Sequence, residues 1–299
     1  MRILLKIFYG FFVFCTAGFS FGQSGKTYRQ EISDWQASRE SFLLSPGGWI
    51  NLEGLFWLKP GKNEFGSDAL SDIVYPNTAF PKSAGYFIWE GNKVSWTSAQ
   101  NITTSINDTV IASAVLYEEG KKPPVLAWGK FRWNIIKRDD KMGVRFRNLD
   151  AAALKAFGGI ERFSVKEKWR VPAHLEAAPA GSLQIANVLG QVNEEKSPGK
   201  LLFTLNGKKY RLDALTEGDQ LFILFADATS GKTTYPTGRF LYAALPDANG
   251  NTVLDFNKSF NPPCAFTVFA TCPIPPKQNI LPIAIEAGEK DYGGGEKKK

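Results

Sequence analysis

The sequence predicts a mainly all-β protein: an N-terminal helix, then a β-sandwich, then a second β-rich domain. Short apolar segments that alternate with polar residues recur along most of the chain, and turn residues interrupt them roughly every 8–15 residues. Only one stretch holds a helical period for long. With 299 residues, 43% of them hydrophobic and 13% aromatic, the chain can bury a large core in one or two domains.

Residues 1–22 read as a secretory signal peptide. Arg2 and Lys6 precede an apolar run, Ile7–Phe14, and Ser20 and Gly22 stand at the −3 and −1 positions of a cleavage predicted after Gly22. The run falls short of the roughly 20 residues a spanning helix needs, and Phe14 before Cys15 does not suit lipid attachment. The expected localisation is therefore secreted or periplasmic, with no transmembrane segment. Within residues 23–47, Tyr28–Leu44 carries Ile32, Trp35, Ser38/Arg39 and Phe42/Leu43 at helical spacing, and Ser45-Pro46-Gly47-Gly48 ends it.

A sandwich is expected over 48–138. Trp49–Leu58 alternates, and Tyr86–Trp89 and Lys93–Trp96 flank Glu90-Gly91-Asn92 as a hairpin. Asn101–Ile106 and Thr109–Leu116 flank Asn107-Asp108. Val125–Ile136 and Gly143–Arg147 flank the charged turn Arg138–Lys141, near which the domain boundary is placed. A short Ala-rich helical piece, Ala151–Phe157, follows. The second domain is expected over 139–292, with the chain's strongest hairpin signal at Asn206-Gly207 and a disordered tail at 293–299.

Composition removes several function classes. The formal charge of +7 includes Arg2 and Lys6 of the signal and three lysines at 297–299, so the body is only weakly basic and a nucleic-acid partner is not expected. His174 is the single histidine, which argues against a His-based metal site and against a Ser-His-Asp site not built on it. Its place beside Pro172 on an apparent strand suits a structural role. No cofactor is expected, because no phosphate-binding loop or dinucleotide glycine motif is present. Cys264 and Cys272, with seven residues between them, suit a disulfide in an oxidising compartment; two buried thiols or a metal pair are the alternatives.

Chemistry-bearing residues crowd between Phe225 and Cys272. Asp227 follows an apolar strand, where a carboxylate either serves a site or closes an Asx-turn. Tyr235 and Arg239 bracket Pro236-Thr237-Gly238, whose bend lets phenol and guanidinium converge on an anion; the alternative is an ion pair of Arg239 with Asp227 or Asp255. Asp255, Asn257 and Asn261 either grip a ligand or cap loop backbone. Glu286 and Glu289, after an alternating Ile-rich segment, form a carboxylate pair of unknown separation.

Four segments, GWINLEGLFWLKPGKNEFGSD (48–68), FADATSGKTTYPTGRFL (225–241), LDFNKSFNPPCAF (254–266) and CPIPPKQNILPIAIEAGEK (272–290), resemble the uncharacterised family called domain of unknown function 1684. That resemblance implies no particular activity. LKPGKNEFGSDALSDIVYP, FIWEGNKVSW and TSINDTV resemble the strand and turn order of forkhead-associated domains, which implies a sandwich. Those domains grip phosphothreonine through an Arg after a Gly, a Ser and His in the next loop, and an Asn-Gly. Here Ser67 follows Gly66, Ser83 has no accompanying His, and Asn107-Asp108 replaces Asn-Gly, so phosphopeptide recognition is not implied.

The functional expectation is a polar pocket for a small ligand, lined by Asp227, Tyr235, Arg239, Asp255, Asn257 and Asn261, with Arg239 as the grip for an anion. The alternatives are a cofactor-free hydrolase using Asp, Tyr and Arg, and a structural envelope protein.

Overall fold

A computed structural model describes residues 26–178 and 181–293. The expected signal peptide and cleavage site, Cys15 and the tail from 294 lie outside the described residues. No helix among those described is long and apolar enough to cross a membrane.

Helix α1 spans Tyr28–Leu44, the range its periodicity predicts. Thr27 caps it by accepting the Gln30 N–H, and Glu31 in the first turn suits the helix dipole. Eleven strands follow: β1 (Leu52–Trp57), β2 (Gly61–Gly66), β3 (Ile73–Val74), β4 (Gly85–Glu90), β5 (Lys93–Ser98), β6 (Thr104–Ile106), β7 (Thr109–Ile111), β8 (Ser113–Glu118), β9 (Leu126–Trp128), β10 (Phe131–Arg138) and β11 (Lys141–Asn148). They form a six-stranded sheet, β1-β11-β10-β9-β6-β7, and a five-stranded sheet, β3-β2-β4-β5-β8. Aromatic side chains fill the space between. Phe65 of one sheet meets Trp133 and Phe146 of the other at ring-centroid distances of 5.9 and 5.5 Å. The expected sandwich is present.

Local chemistry explains the turns. Asn107 and Asp108 both adopt positive φ (48° and 62°), as the two-residue turn between β6 and β7 requires. Gly129 at φ 49° divides the segment 125–136, read as one strand, into β9 and β10. Asp139-Asp140 joins β10 to β11 within one sheet. The sandwich strands therefore continue to Asn148, past the boundary at 138 that the charged turn suggests.

After a short helix α2 (Ala152–Lys155) come β12 (Arg170–Ala177), β13 (Ser182–Ala186), β14 (Val192–Lys196), β15 (Gly199–Leu205), β16 (Lys208–Glu217), β17 (Gln220–Phe225), β18 (Arg239–Ala244) and β19 (Asn251–Asp255). Six pair in the order β18-β17-β16-β15-β12-β19. The sheet curls until its end strands meet, where Thr252 Oγ1 donates to the Ala244 carbonyl at 2.8 Å. Alternate residues point inward: Leu201, Phe203 and Leu205, then Leu221, Ile223 and Phe225, then Leu241 and Ala243. Strands β13 and β14 form a separate hairpin.

Although α1 precedes the sandwich, it is tied to the second domain. Tyr28 donates to Asp255 at 2.9 Å, Lys258 pairs with Glu31 at 2.7 Å, and Arg39 donates to the Asn261 carbonyl at 2.9 Å. The buried face of α1 carries Ile32 and Leu43; Trp35, Ser38, Arg39 and Phe42 border a cavity.

Candidate functional site

Asp227 and Arg239 meet, but inside the protein. Both side chains are fully buried, with Arg239 Nη2 2.8 Å from Asp227 Oδ2. Strand β17 delivers Asp227 and β18 opens with Arg239. Gly238 between Tyr235 and Arg239 sits at φ 107°, and a Cβ there would lie 2.4 Å from the Phe225 carbonyl, so the bend requires glycine. Most of the remaining valences are consumed internally, with Arg239 Nε left without a partner. Asp227 Oδ1 accepts the Thr229 N–H and hydroxyl and the Ile285 N–H at 2.8, 2.6 and 3.2 Å. Arg239 donates to the carbonyls of Ala287, Glu289 and Ile285. Burial pulls the guanidinium pKa down, and Asp227 opposes that shift. The pair fastens the segment Leu281–Glu289, which the alternating pattern presents as a strand but which is extended chain outside any sheet.

The other candidates also serve structure. Asp255 and Asn257 share Tyr28: Asn257 Nδ2 donates to its hydroxyl at 2.8 Å, and the hydroxyl donates to Asp255. Asn257 lies in a 3-10 turn, Phe256–Lys258, rather than on an alternating strand. It also brackets the backbone of Lys166 through both amide atoms. Asn261 donates its N–H to Glu289 at 2.7 Å and its amide to the Lys290 carbonyl at 2.7 Å. Glu289 is fully buried beside Arg39 at 3.3 Å; burial pushes its pKa up while Arg39 and the Asn261 N–H pull it down. Glu286 is exposed, so no carboxylate pair forms with it. Tyr235 packs with Leu43, Ile50 and Phe266, and its phenol pKa is raised by burial and then by Asp291. His174 is exposed on β12, 3.4 Å from Asn251. The six expected pocket residues thus fall into separate structural clusters, with Tyr235 half-buried in an apolar one, and do not converge on one cavity.

The open cavity is elsewhere, between α1, the outer face of the six-stranded sheet and the second domain. It encloses about 730 Å³. Trp35 and Phe42 come from α1, Trp49 from the loop before β1, and Phe222, Phe240, Tyr242 and Phe260 from the second domain. Phe222 stacks on Tyr242 at 5.0 Å and meets Phe240 edge-on at 5.0 Å, so one wall is a continuous aromatic surface. Arg39, Arg138 and Arg145 supply positive charge. Arg39 has Glu289, but Arg138 and Arg145 make no ion pair among the described residues. Arg138 Nε donates only to Thr271 Oγ1, at 3.0 Å. Arg145 stands over the Trp49 ring at 5.0 Å, and its buried Nε has no partner. Burial, then Arg138 and Arg147, push the Arg145 pKa down to about 10. At neutral pH it is still a cation, without a counter-charge.

Cys264 and Cys272 are joined as a disulfide, with Cα atoms 6.1 Å apart. The loop they close carries Ala270 and Thr271 into the cavity wall. Past Arg138 and Glu217 the cavity adjoins a second depression of about 740 Å³ walled by the β13–β14 hairpin. Among the described residues no group of His, Cys, Asp and Glu is placed to hold a metal ion.

Residues 155–290 match the family described as "Protein of unknown function (DUF1684)". The match covers nearly all of the second domain, including every residue of the Asp227–Arg239 network. It is narrower than the resemblance suggests, because the segment 48–68 lies outside it. Two solved structures show partial likeness. An uncharacterized protein of Haloarcula marismortui, determined by solution NMR, is 28% identical over 46% of this chain and 78% of its own, with a TM-score of 0.39. The FHA domain of FhaA, complexed with the intracellular domain of Rv3910, is 14% identical over 31% of this chain and 97% of its own, with a TM-score of 0.23. No curated protein matches the chain.

Sequence reasoning passed over Arg138 and Arg145 because charges at a turn and on a strand look solvated. For Arg138 the missed signal was register. Closing Asp139-Asp140 as a two-residue turn sets Arg138 against Lys141 and Arg132 against Arg147, cation facing cation.

Proposed function

We propose that this protein binds a small amphipathic anion in the aromatic cavity, with Arg138 and Arg145 as the anion grip and not Arg239. The observation that carries this reading is the unpaired, partly buried Arg145 facing an aromatic wall. Burying a cation without a partner costs free energy unless something completes it. Pockets that orient ligands combine apolar walls with a few charged groups and often lie between domains. The leader at 1–22 and the disulfide support action outside the cytoplasm, which fractionation with a mass for a chain starting at Gln23 would test.

Trp35 and Trp49 report occupancy by their fluorescence. Titration with anilinonaphthalene sulfonate should saturate at one site, and Arg145→Ala should weaken it by about tenfold or more, the loss expected for a charge-assisted contact. Equal affinity in the variant refutes the assignment.

A second reading is cofactor-free hydrolysis of an ester of such an anion. It rests on Tyr242, whose hydroxyl donates to Glu217 at 2.9 Å on the cavity wall. Burial and then Glu217 raise the phenol's pKa, keeping it a proton donor, while Glu217 is placed to act as base. Turnover abolished in Glu217→Gln with binding retained is the expected outcome; turnover unchanged in that variant excludes the pair. Asp227 and Arg239 are sealed away from either chemistry.

A further inference from the structure

Behind Arg138 and Arg145 lies a further cleft, of about 530 Å³, whose lining contains Lys122, Arg132, Lys137, Arg138, Arg145 and Arg147 and no carboxylate. We propose that this cleft is a phosphoryl subsite, so that the ligand is a phosphorylated amphiphile with its apolar body in the aromatic cavity and its phosphate among these cations. The inference rests on the amphipathic-anion reading and specifies its head group.

The sheet builds the subsite. Arg132 and Asn134 of β10 are in register with Arg147 and Arg145 of β11, so all four project from the same outer face of the six-stranded sheet. Like charges in register destabilise a sheet unless something bridges them. The bridging available within the protein is small. Arg147 Nη1 donates to Asn134 Oδ1 at 3.1 Å, and Arg132 Nη1 donates to the carbonyls of Gly129 and Phe131 at 2.7 and 2.8 Å. Among the described residues, only Lys137 of this lining has a carboxylate, that of Glu119 at 3.4 Å. Arg147 is 8% exposed, and burial lowers its pKa with no anion opposing the shift.

The number of cations selects the head group. A carboxylate carries one charge and is satisfied by one guanidinium fork. A phosphate monoester carries about −1.5 to −2 at neutral pH and three strong acceptor oxygens, which suits several guanidiniums at once. Arg138 and Arg145 line both cavities and so mark the junction between head and body. Ser67, Ser83 and Asn107, the positions at which the forkhead-associated likeness would place a phosphate, do not line the cleft.

The phosphoryl group belongs either to a soluble ester or to a lipid head group. The test compares naphthyl phosphate, naphthoate and vesicles containing phosphatidic acid, on the full chain and on Arg132→Gln and Lys122→Gln. Both substituted side chains line this cleft and neither lines the aromatic cavity, and Lys122 is exposed, so its variant keeps the fold. Naphthyl phosphate should bind about tenfold or more tightly than naphthoate, and both variants should erase that preference while leaving naphthoate affinity unchanged. Vesicle binding that depends on Arg132, with no preference for naphthyl phosphate, identifies a lipid head group and supports the subsite. Equal binding of the two naphthyl compounds together with no vesicle binding overturns the subsite but leaves the aromatic cavity standing. Failure of naphthoate and anilinonaphthalene sulfonate alike to bind the unaltered protein overturns the cavity reading itself.

Discussion

Arg239 and Arg145 are both drawn out of water, both stand over an aromatic ring and both leave a buried Nε without a partner, but they differ in the charges beside them. Arg239 meets one carboxylate and three carbonyls in the wall of the second domain. Arg145 meets an indole ring, and the charges that bear on it are those of Arg138 and Arg147. The first arrangement is closed in charge and in access: a guanidinium paired with a carboxylate and sealed from solvent is out of a ligand's reach. The second is open, and its openness is a standing cost to the folded state. A site is recognised by what the protein leaves unsupplied, so a dense cluster of polar residues is a poor guide until its partners are known.

That contrast predicts effects of different size and sign. Asp227→Ala leaves Arg239 buried without its counter-charge and should cost about 3–5 kcal/mol, read as a lowered urea midpoint. A loss below about 1 kcal/mol would mean that the pair is not sealed. Arg145→Ala should instead act on binding, by about 1.5–3 kcal/mol in anion affinity, while the fold survives. Tyr28→Phe tests the latch that holds α1 over the cavity and should lower stability by about 1 kcal/mol at neutral pH. Burial and then the bond to Asp255 raise the Tyr28 pKa above its ordinary value of 10.0. The latch contributes fully below pH 10 and fades as the pH climbs through the raised value. The melting-temperature gap between Tyr28→Phe and the unaltered protein should therefore be constant from neutral pH up to about pH 10 and narrow above it. The smallest effect is the most discriminating. Arg145→Gln removes an uncompensated cation and should stabilise the unliganded protein by about 0.5–1 kcal/mol, seen as a rise in melting temperature. The open site then gains stability from the loss of its arginine, where the closed one loses it.

Much of the fold was legible because it is written locally. The spacing of Ile32, Trp35 and Leu43, ended by Ser45-Pro46-Gly47, defines α1 to the residue. Asn107-Asp108 and Asn206-Gly207 place two hairpins because few other residues adopt their backbone angles. The reach of Arg239 to Asp227 was visible as an alternative, since both flank a glycine-permitted bend. What stayed hidden depends on distant chain. The segment Leu281–Glu289 alternates as a strand does, yet its carbonyls are taken by Arg239 and it joins no sheet. The cavity stayed hidden because its walls come from Trp35, Arg145 and Phe222, residues that no short pattern connects.

The anchoring of α1 also sets an order of assembly. Its contacts to Asp255, Asn261 and Glu289 span 227, 222 and 250 residues. Contacts of such separation form late, because the chain between them must first be ordered. The helix is synthesised with the sandwich, before the side chains that seat it. The chamber beneath it is therefore completed last.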